Sequence, residues 1–238
     1  MQYRRLGRSG LQLSELSLGS WVTYHNQVDV SAAKEMLAAA LDAGINFFDN
    51  AEVYANGQSE TIMGEAFKQL GRSSLDYVVS TKFFWGLERG KPGQRPRING
   101  QDTLNRKYLH HAIDQSLERM QRECIDLVFC HRPDPHTPIE ETVWAPLHNM
   151  AFLREGLTDP AKNAAVGKLT AIADELGGSV AQLAIAWINR NPRVITVILG
   201  ASKLAQLHDN IKALELTPKL TPDVLARIDA VTLPLATT

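Results

Sequence analysis

Three apolar runs in this sequence end in an ionisable residue, and a tyrosine follows the first. Ile45-Asn46-Phe47-Phe48 stops at Asp49 with Tyr54 five residues on, Tyr77-Val78-Val79-Ser80-Thr81 runs into Lys82, and Ile125-Asp126-Leu127-Val128-Phe129-Cys130 runs into His131. Runs of this length suit strands buried on both faces. Where such strands are parallel, their C-terminal ends share one edge, so Asp49, Lys82 and His131 are expected to converge there with Tyr54. Singly, each has an ordinary reading: Asp49 as the start of a turn, Lys82 on the surface, His131 in a loop near Pro133, Tyr54 as a half-buried ring. Jointly they describe a chemistry.

A phenol with an unperturbed pKa of about 10 is a poor acid at neutral pH, and a neighbouring ammonium is expected to lower that value. A carboxylate would hold the ammonium charged and oriented. Asp49 and Lys82 as a pair with Tyr54 against the ammonium make a tuned proton donor, and His131 can donate a hydrogen bond to a substrate oxygen. Such a set can reduce a carbonyl once a hydride arrives.

The elements that must position these residues alternate between strand and helix. Residues 2–13 read as a hairpin turning at Gly7 to Gly10, and Ser14 to Leu18 as the first parallel strand. Ser31 is expected to cap a helix with Ala33, Met36, Leu37, Ala40 and Leu41 on one face, closed by Gly44. The strand ending at Asp49 follows, then a helix capped by Ser59 with Ile62, Met63, Ala66, Phe67 and Leu70 inward. A third strand spans Tyr77 to Thr81, before a long loop from Phe83 to Thr103 and a helix facing Tyr108, Leu109, Ala112, Ile113, Leu117 and Met120. The fourth strand, Ile125 to Cys130, leads at Thr137-Pro138 into a helix ending near Ala145. Further helices run from Asp159 (N-cap) and Pro160 to Leu176 and from Ser179 to Asn189, with a last strand at Val194 to Leu199 and its helix from Lys203 to Ala213.

No G-x-G-x-x-G occurs, so a Rossmann domain has no support. Gly200-Ala201-Ser202 instead follows a strand and opens a helix, where free N–H groups and the helix dipole attract phosphate. The same tripeptide is equally a helix cap without a ligand.

These pieces resemble the aldo-keto reductases, and within them the branch containing the voltage-gated potassium channel β subunits and their bacterial relatives. The resemblance is carried by Leu18-Gly19-Ser20-Trp21-Val22-Thr23, Asn46 to Tyr54, Ser80-Thr81-Lys82, Cys130-His131-Arg132-Pro133-Asp134, and Leu199-Gly200-Ala201-Ser202 with Gln206, Asp209 and Asn210. It implies a (β/α)8 TIM barrel and NADPH-dependent reduction of aldehydes or ketones. Tyr54 would then be the general acid, Lys82 and Asp49 would tune it, and His131 would polarise the carbonyl. It implies an NADP(H) site with Gly200, Ser202, Lys203, Gln206, Asp209 and Asn210 around the adenosine phosphate, and with Ser20, Trp21, Gln27 and Asp49 nearer the nicotinamide and ribose. Lys203 is equally a solvated helix lysine and Trp21 equally ordinary packing. The channel β subunits carry asparagine where this chain has His131, which points toward the catalytic members. Two alternatives stand beside this reading: a nucleotide-binding auxiliary or redox-sensing subunit, and a non-catalytic truncated barrel.

At 238 residues and 44% hydrophobic content the chain can bury the core of a single domain, 1–238. A net charge of −1 argues for neither nucleic acid nor an anionic membrane, and no apolar run approaches the roughly 20 residues of a membrane span. Met1 to Leu6 lacks the apolar core of a signal peptide. Cys124 and Cys130, too close on one strand to pair readily, are expected to stay reduced. These features suggest a cytoplasmic protein; the resemblance implies a small carbonyl substrate and no metal, and self-association stays open.

The barrel count does not close. Five parallel strands are expected where a barrel needs eight, a shortfall on the order of 90 residues at roughly 30 per β/α unit. The expected break lies between residues 145 and 152. Residues omitted as unobserved, a true deletion, or an open sheet of five strands would each explain it. The first is favoured, because a five-stranded remnant exposes strand edges.

Overall fold

A computed structural model describes residues 1–21, 23–87, 97–138, 142 and 160–236. The helix expected to end near Ala145, the Asp159 cap, the break at 145–152 and part of the loop from Phe83 to Thr103 lie outside these residues. Two compact units are present.

The first unit, drawn from Met1–His148 and Ile198–Leu207, carries the sheet. Its strands are β3 (Leu16–Gly19), β4 (Phe47–Asp49), β5 (Val78–Phe83), β6 (Leu127–Cys130) and β7 (Val197–Gly200), in the order β6-β5-β4-β3-β7. The β3–β4, β4–β5 and β5–β6 pairings are parallel. β6 and β7 stand at the two edges, so among the described residues the sheet is open and no barrel closes.

A separate antiparallel hairpin, β1 (Tyr3–Arg5) with β2 (Gln12–Ser14), docks at the N-terminal end of β4. There the Tyr3 hydroxyl donates to the Gly44 carbonyl at 2.8 Å and the Ser14 N–H donates to Asn46 Oδ1 at 2.7 Å. This is the sheet end opposite Asp49.

Helices α1 (Val30–Asp42), α2 (Gln58–Leu70) and α3 (Arg106–Met120) follow β3, the β4 loop and β5. α1 is capped by Asp29, whose carboxylate accepts from the Ala32 N–H, and not by the expected Ser31. A carboxylate two residues upstream reached the orphan donors first. α2 starts after Gly57, held at φ +89°, so Ser59 lies inside the first turn, buried, with no partner for its hydroxyl among the described residues. Leu37, Phe48 and Met63 are almost fully buried between helices and sheet, each worth about 1.5–3 kcal/mol. Gly64 lets α2 approach α3: a Cβ there would lie 2.3 Å from the Met120 carbonyl oxygen.

β5 runs further than the pattern predicts. Lys82 and Phe83 still pair with Phe129 and Cys130 of β6, which places Lys82 within the strand rather than after it. The helix expected from Lys203 to Ala213 is shorter: α6 spans Leu204–Ile211, and α7 (Ala213–Leu216) is separate.

The second unit, drawn from Asn149–Val197 and His208–Thr238, is helical. α4 (Pro160–Glu175), α5 (Val180–Asn189), α7 and α8 (Pro222–Ala236) enclose Ile172, Ala173, Leu183, Ala186, Leu216, Leu220, Val224 and Ile228. Ser179 and Gln182 form a reciprocal capping box at the start of α5. α8 has no counterpart among the elements expected from the pattern.

Candidate active site

Parity along β5 builds the centre of the site. Ser80 and Lys82, two residues apart, project to the same face, and the pairing of Asp49 with Ser80 brings the β4 carboxylate between them. Ser80 Oγ donates to Asp49 Oδ1 at 2.7 Å and Lys82 Nζ donates to Asp49 Oδ2 at 2.6 Å. Lys82 also donates to the Asn50 carbonyl at 2.8 Å and to the Tyr54 hydroxyl at 3.2 Å. All three groups of the expected proton donor therefore meet.

Tyr54 opens a short helical turn, Tyr54–Gly57, whose Ala55, Asn56 and Gly57 take φ values of +48°, +53° and +89°. Such backbone costs on the order of 1–3 kcal/mol per non-glycine residue and clusters at functional sites. It tucks the ring inward, 7% exposed.

The direction of tuning departs from expectation. Burial, followed by the charge of Asp49, pushes the Tyr54 phenol above its ordinary value. Lys82, whose charge is paired with Asp49 at 2.6 Å, does not reverse this. Burial also lowers the Lys82 ammonium, with Asp49 opposing. Tyr54 is thus held as a protonated phenol.

His131 follows β6 directly, its N–H donating to the Phe83 carbonyl at 2.9 Å. Its ring lies 5.8 Å from that of Tyr54 and 4.6 Å from that of Trp85. Burial first, then the charges of Lys82 and Arg132, push its pKa down to about 3. The imidazole is therefore neutral across the physiological range, and its buried Nδ1 has no hydrogen-bond partner among the described residues.

Asp134, in the same loop, holds that loop in place. It accepts from Thr103 Oγ1 (3.0 Å), the Leu104 N–H (2.8 Å), the His136 N–H (2.9 Å) and Thr137 Oγ1 (2.6 Å). Burial opposes ionisation there, but these hydrogen bonds outweigh it and hold the carboxyl down to about 2. A folded-state pKa below the unfolded value of 3.8 means stability that is present above pH 3.8 and lost as pH falls toward 2. Urea midpoints for the parent and Asp134→Asn are therefore expected to differ near neutrality and to converge in acid. A gap independent of pH would show that the carboxylate's charge contributes nothing.

The cofactor residues are less completely assembled. Ser20 is buried, with its N–H and hydroxyl both donating to the Asp49 carbonyl, at 3.1 and 3.2 Å. Trp21 is 37% exposed, its ring 6.4 Å from that of Tyr54. Gln27 is exposed in its loop, and among the described residues no contact joins its side chain to the catalytic set. At the start of α6, Ser202 N, Ser202 Oγ and Lys203 N all donate to Gln206 Oε1, at 2.9, 3.1 and 3.2 Å. Donors converging on one oxygen beside an exposed lysine, with open space at Gly200, form a cradle of the kind a phosphate oxygen can enter by displacing Gln206. Asp209, nearer the end of α6, accepts from Gln182 Nε2 at 2.9 Å, and Asn210 is adjacent to it. Asp209 is thus committed within the helical unit.

Two parts of the site escape the sequence pattern: Trp85 against His131, and a buried Glu52–Tyr108 hydrogen bond. A carboxylate between Ala51 and Val53, two residues before Tyr54, was a legible signal.

Comparison with known proteins gives this geometry a family. A model of the aldo/keto reductase family matches residues 15–157 and, separately, 143–232. A probable voltage-gated potassium channel subunit beta from Oryza sativa subsp. japonica is 39% identical over 325 positions, covering 97% of this chain and 96% of the relative. Its counterpart from Arabidopsis thaliana is 37% identical with the same coverage, and a putative one from Schizosaccharomyces pombe is 31% identical over 96% of this chain and 92% of the relative. An alignment of 325 positions against 238 residues leaves at least 87 positions without a counterpart here. The shared sequence extends from end to end of the described catalytic set, and the chain belongs to the aldo/keto reductase family.

Proposed function

We propose that this protein reduces aldehydes or ketones to alcohols with NADPH. The observation that carries the reading is the chain of contacts from Asp49 through Lys82 to the Tyr54 hydroxyl, with neutral His131 beside it. Lys82 donates to the phenol oxygen, which leaves the phenol's own hydrogen free to point outward at a substrate oxygen. His131 offers that oxygen a second, uncharged donor, and Tyr54 delivers the proton. NADPH, when bound, supplies the hydride; the Ser202 and Lys203 donors that Gln206 Oε1 now occupies would hold its phosphate end, while Ser20 and Trp21 stand near the catalytic set.

The two family segments overlap at residues 143–157, which supports assigning the length missing relative to the relatives to that part of the chain, where the break at 145–152 is expected. The names of the relatives favour a second reading, a channel auxiliary subunit, which the expected nucleotide site would make a nucleotide-binding one. For the reductase reading, NADPH consumption with a panel of aldehydes and ketones should yield the alcohols. Binding without turnover on any of them would favour the subunit instead. If Lys203 meets a 2′-phosphate, NADPH should bind more tightly than NADH by about 1.5–3 kcal/mol, the value of hydrogen bonds to charged groups. Equal dissociation constants in a fluorescence titration would remove Lys203 from that role.

No helix among the described residues is long and apolar enough to cross a membrane.

A further inference from the structure

We infer that Glu52, acting with Tyr108, is a positioning residue of this site, which locks the segment carrying Trp85 so that its indole fixes the ring of His131. The inference rests on the reductase reading for its catalytic consequence, though not for its geometry.

Glu52 is 2% exposed, and no lysine or arginine pairs with it among the described residues. A carboxylate so buried is costly unless hydrogen bonds compensate. Among the described residues, the hydrogen bonds its side chain accepts converge on one oxygen. Glu52 Oε1 accepts from the Tyr108 hydroxyl, from the Phe84 N–H at 3.1 Å and from the Gly86 N–H at 3.2 Å. The Gly86 N–H is also 3.0 Å from the Tyr108 hydroxyl oxygen, and the Glu52 N–H donates to the Lys82 carbonyl at 3.2 Å.

Each of these bonds acts on the same short stretch. Phe84 and Gly86 flank Trp85, so both neighbours of the indole are anchored to one carboxylate, and the backbone of Glu52 is anchored in turn to Lys82 near the end of β5. The turn has no slack, for Gly86 sits at φ +72° and a Cβ there would lie 2.4 Å from the Gly100 carbonyl oxygen. Trp85 then stands edge-to-face with His131, ring centroids 4.6 Å apart at 61°, and the Arg132 guanidinium lies 5.4 Å from the indole on the same residue run. His131 makes no side-chain hydrogen bond at Nδ1 among the described residues. Its aim therefore depends on ring contacts, and the Trp85 contact is the shorter of the two.

Burial pushes the Glu52 carboxyl upward, against the hydrogen bonds from Tyr108, Phe84 and Gly86. The need here is for an acceptor oxygen in one place rather than for a negative charge. A glutamine keeps such an oxygen and a leucine does not.

The test compares Glu52→Gln, Glu52→Leu and Tyr108→Phe in the full chain. Glu52→Leu should lower kcat by roughly 10- to 100-fold, the size of effect a small misplacement produces, with NADPH affinity within about twofold of the parent. Glu52→Gln should restore most of that loss. Should Glu52→Leu fail to fold, Tyr108→Phe, which removes only the hydroxyl, serves in its place with a smaller fall in kcat. A second readout does not need turnover: the imidazole Hε1 resonance of His131, assigned by its disappearance in His131→Asn, feels the Trp85 ring current. It should move toward an unstacked position in Glu52→Leu and stay put in Glu52→Gln. An inactive parent would refute the reductase reading while the resonance still decides the geometry. An unmoved resonance in folded Glu52→Leu, or Glu52→Gln as impaired as Glu52→Leu, would overturn the inference.

Discussion

Tyr54→Phe should cost carbonyl reduction about 10²- to 10⁴-fold, the range for a lost general acid, and leave NADPH affinity within a few-fold of the parent. The substitution removes one oxygen from a ring that is otherwise kept in place by its contacts with Trp21 and His131. Packing therefore survives, and the cradle of Ser202, Lys203 and Gln206 at the start of α6 contains no contribution from the phenol. Because burial holds the phenol protonated, its proton is present throughout the neutral range, and the parent rate should not fall with pH until well into the alkaline range. Steady-state rates and a fluorescence titration on the same preparations measure both halves. Turnover within a few-fold of the parent would take Tyr54 out of the proton step.

The convergence of Asp49, Lys82 and His131 was legible because it depends on quantities a sequence carries directly: apolar runs of strand length, each stopped by an ionisable residue, and the rule that parallel strands end at one edge. Parallel pairing of β4, β5 and β6 brings the three together as expected. The sign of the Tyr54 shift was not legible. It depends on how deeply the ring is buried and on the 2.6 Å separation at which Asp49 pairs with Lys82, both of which are properties of packing.

Local competition accounts for the smaller departures. Asp29 and Ser31 are both good helix caps, and which one acts depends on where the chain turns after Val28. At α2 a glycine in left-handed backbone ends the preceding turn and displaces Ser59 from the cap. α8 begins with the readable signal Thr221-Pro222, but Pro234 inside it blurs the pattern toward the C-terminus. The Glu52–Tyr108 contact joins residues 56 apart in sequence, which no periodicity reports. The strand count of five was legible, and among the described residues five strands form the sheet, open at β6 and β7.

Lys82→Met is expected to be as damaging to turnover as Tyr54→Phe and, unlike it, to destabilise the fold. Lys82 is the only cation on Asp49 among the described contacts, and the two side chains are 16% and 7% exposed. Removing one partner of a buried pair leaves an uncompensated charge, typically at a cost of about 3–5 kcal/mol. The effect on chemistry follows from the same vacancy. Without the ammonium at 3.2 Å, nothing stabilises the phenolate left once Tyr54 has given up its proton, and the phenol hydrogen is drawn inward toward the naked carboxylate. The two consequences separate in the double variant Lys82→Met/Asp49→Leu, which carries neither charge. Its thermal midpoint should recover most of what Lys82→Met loses, while its turnover stays at the level of the single variant. If the double variant is no more stable than Lys82→Met, the unpaired carboxylate is not the source of the instability. If Lys82→Met turns over within a few-fold of the parent, the lysine has no part in moving the proton.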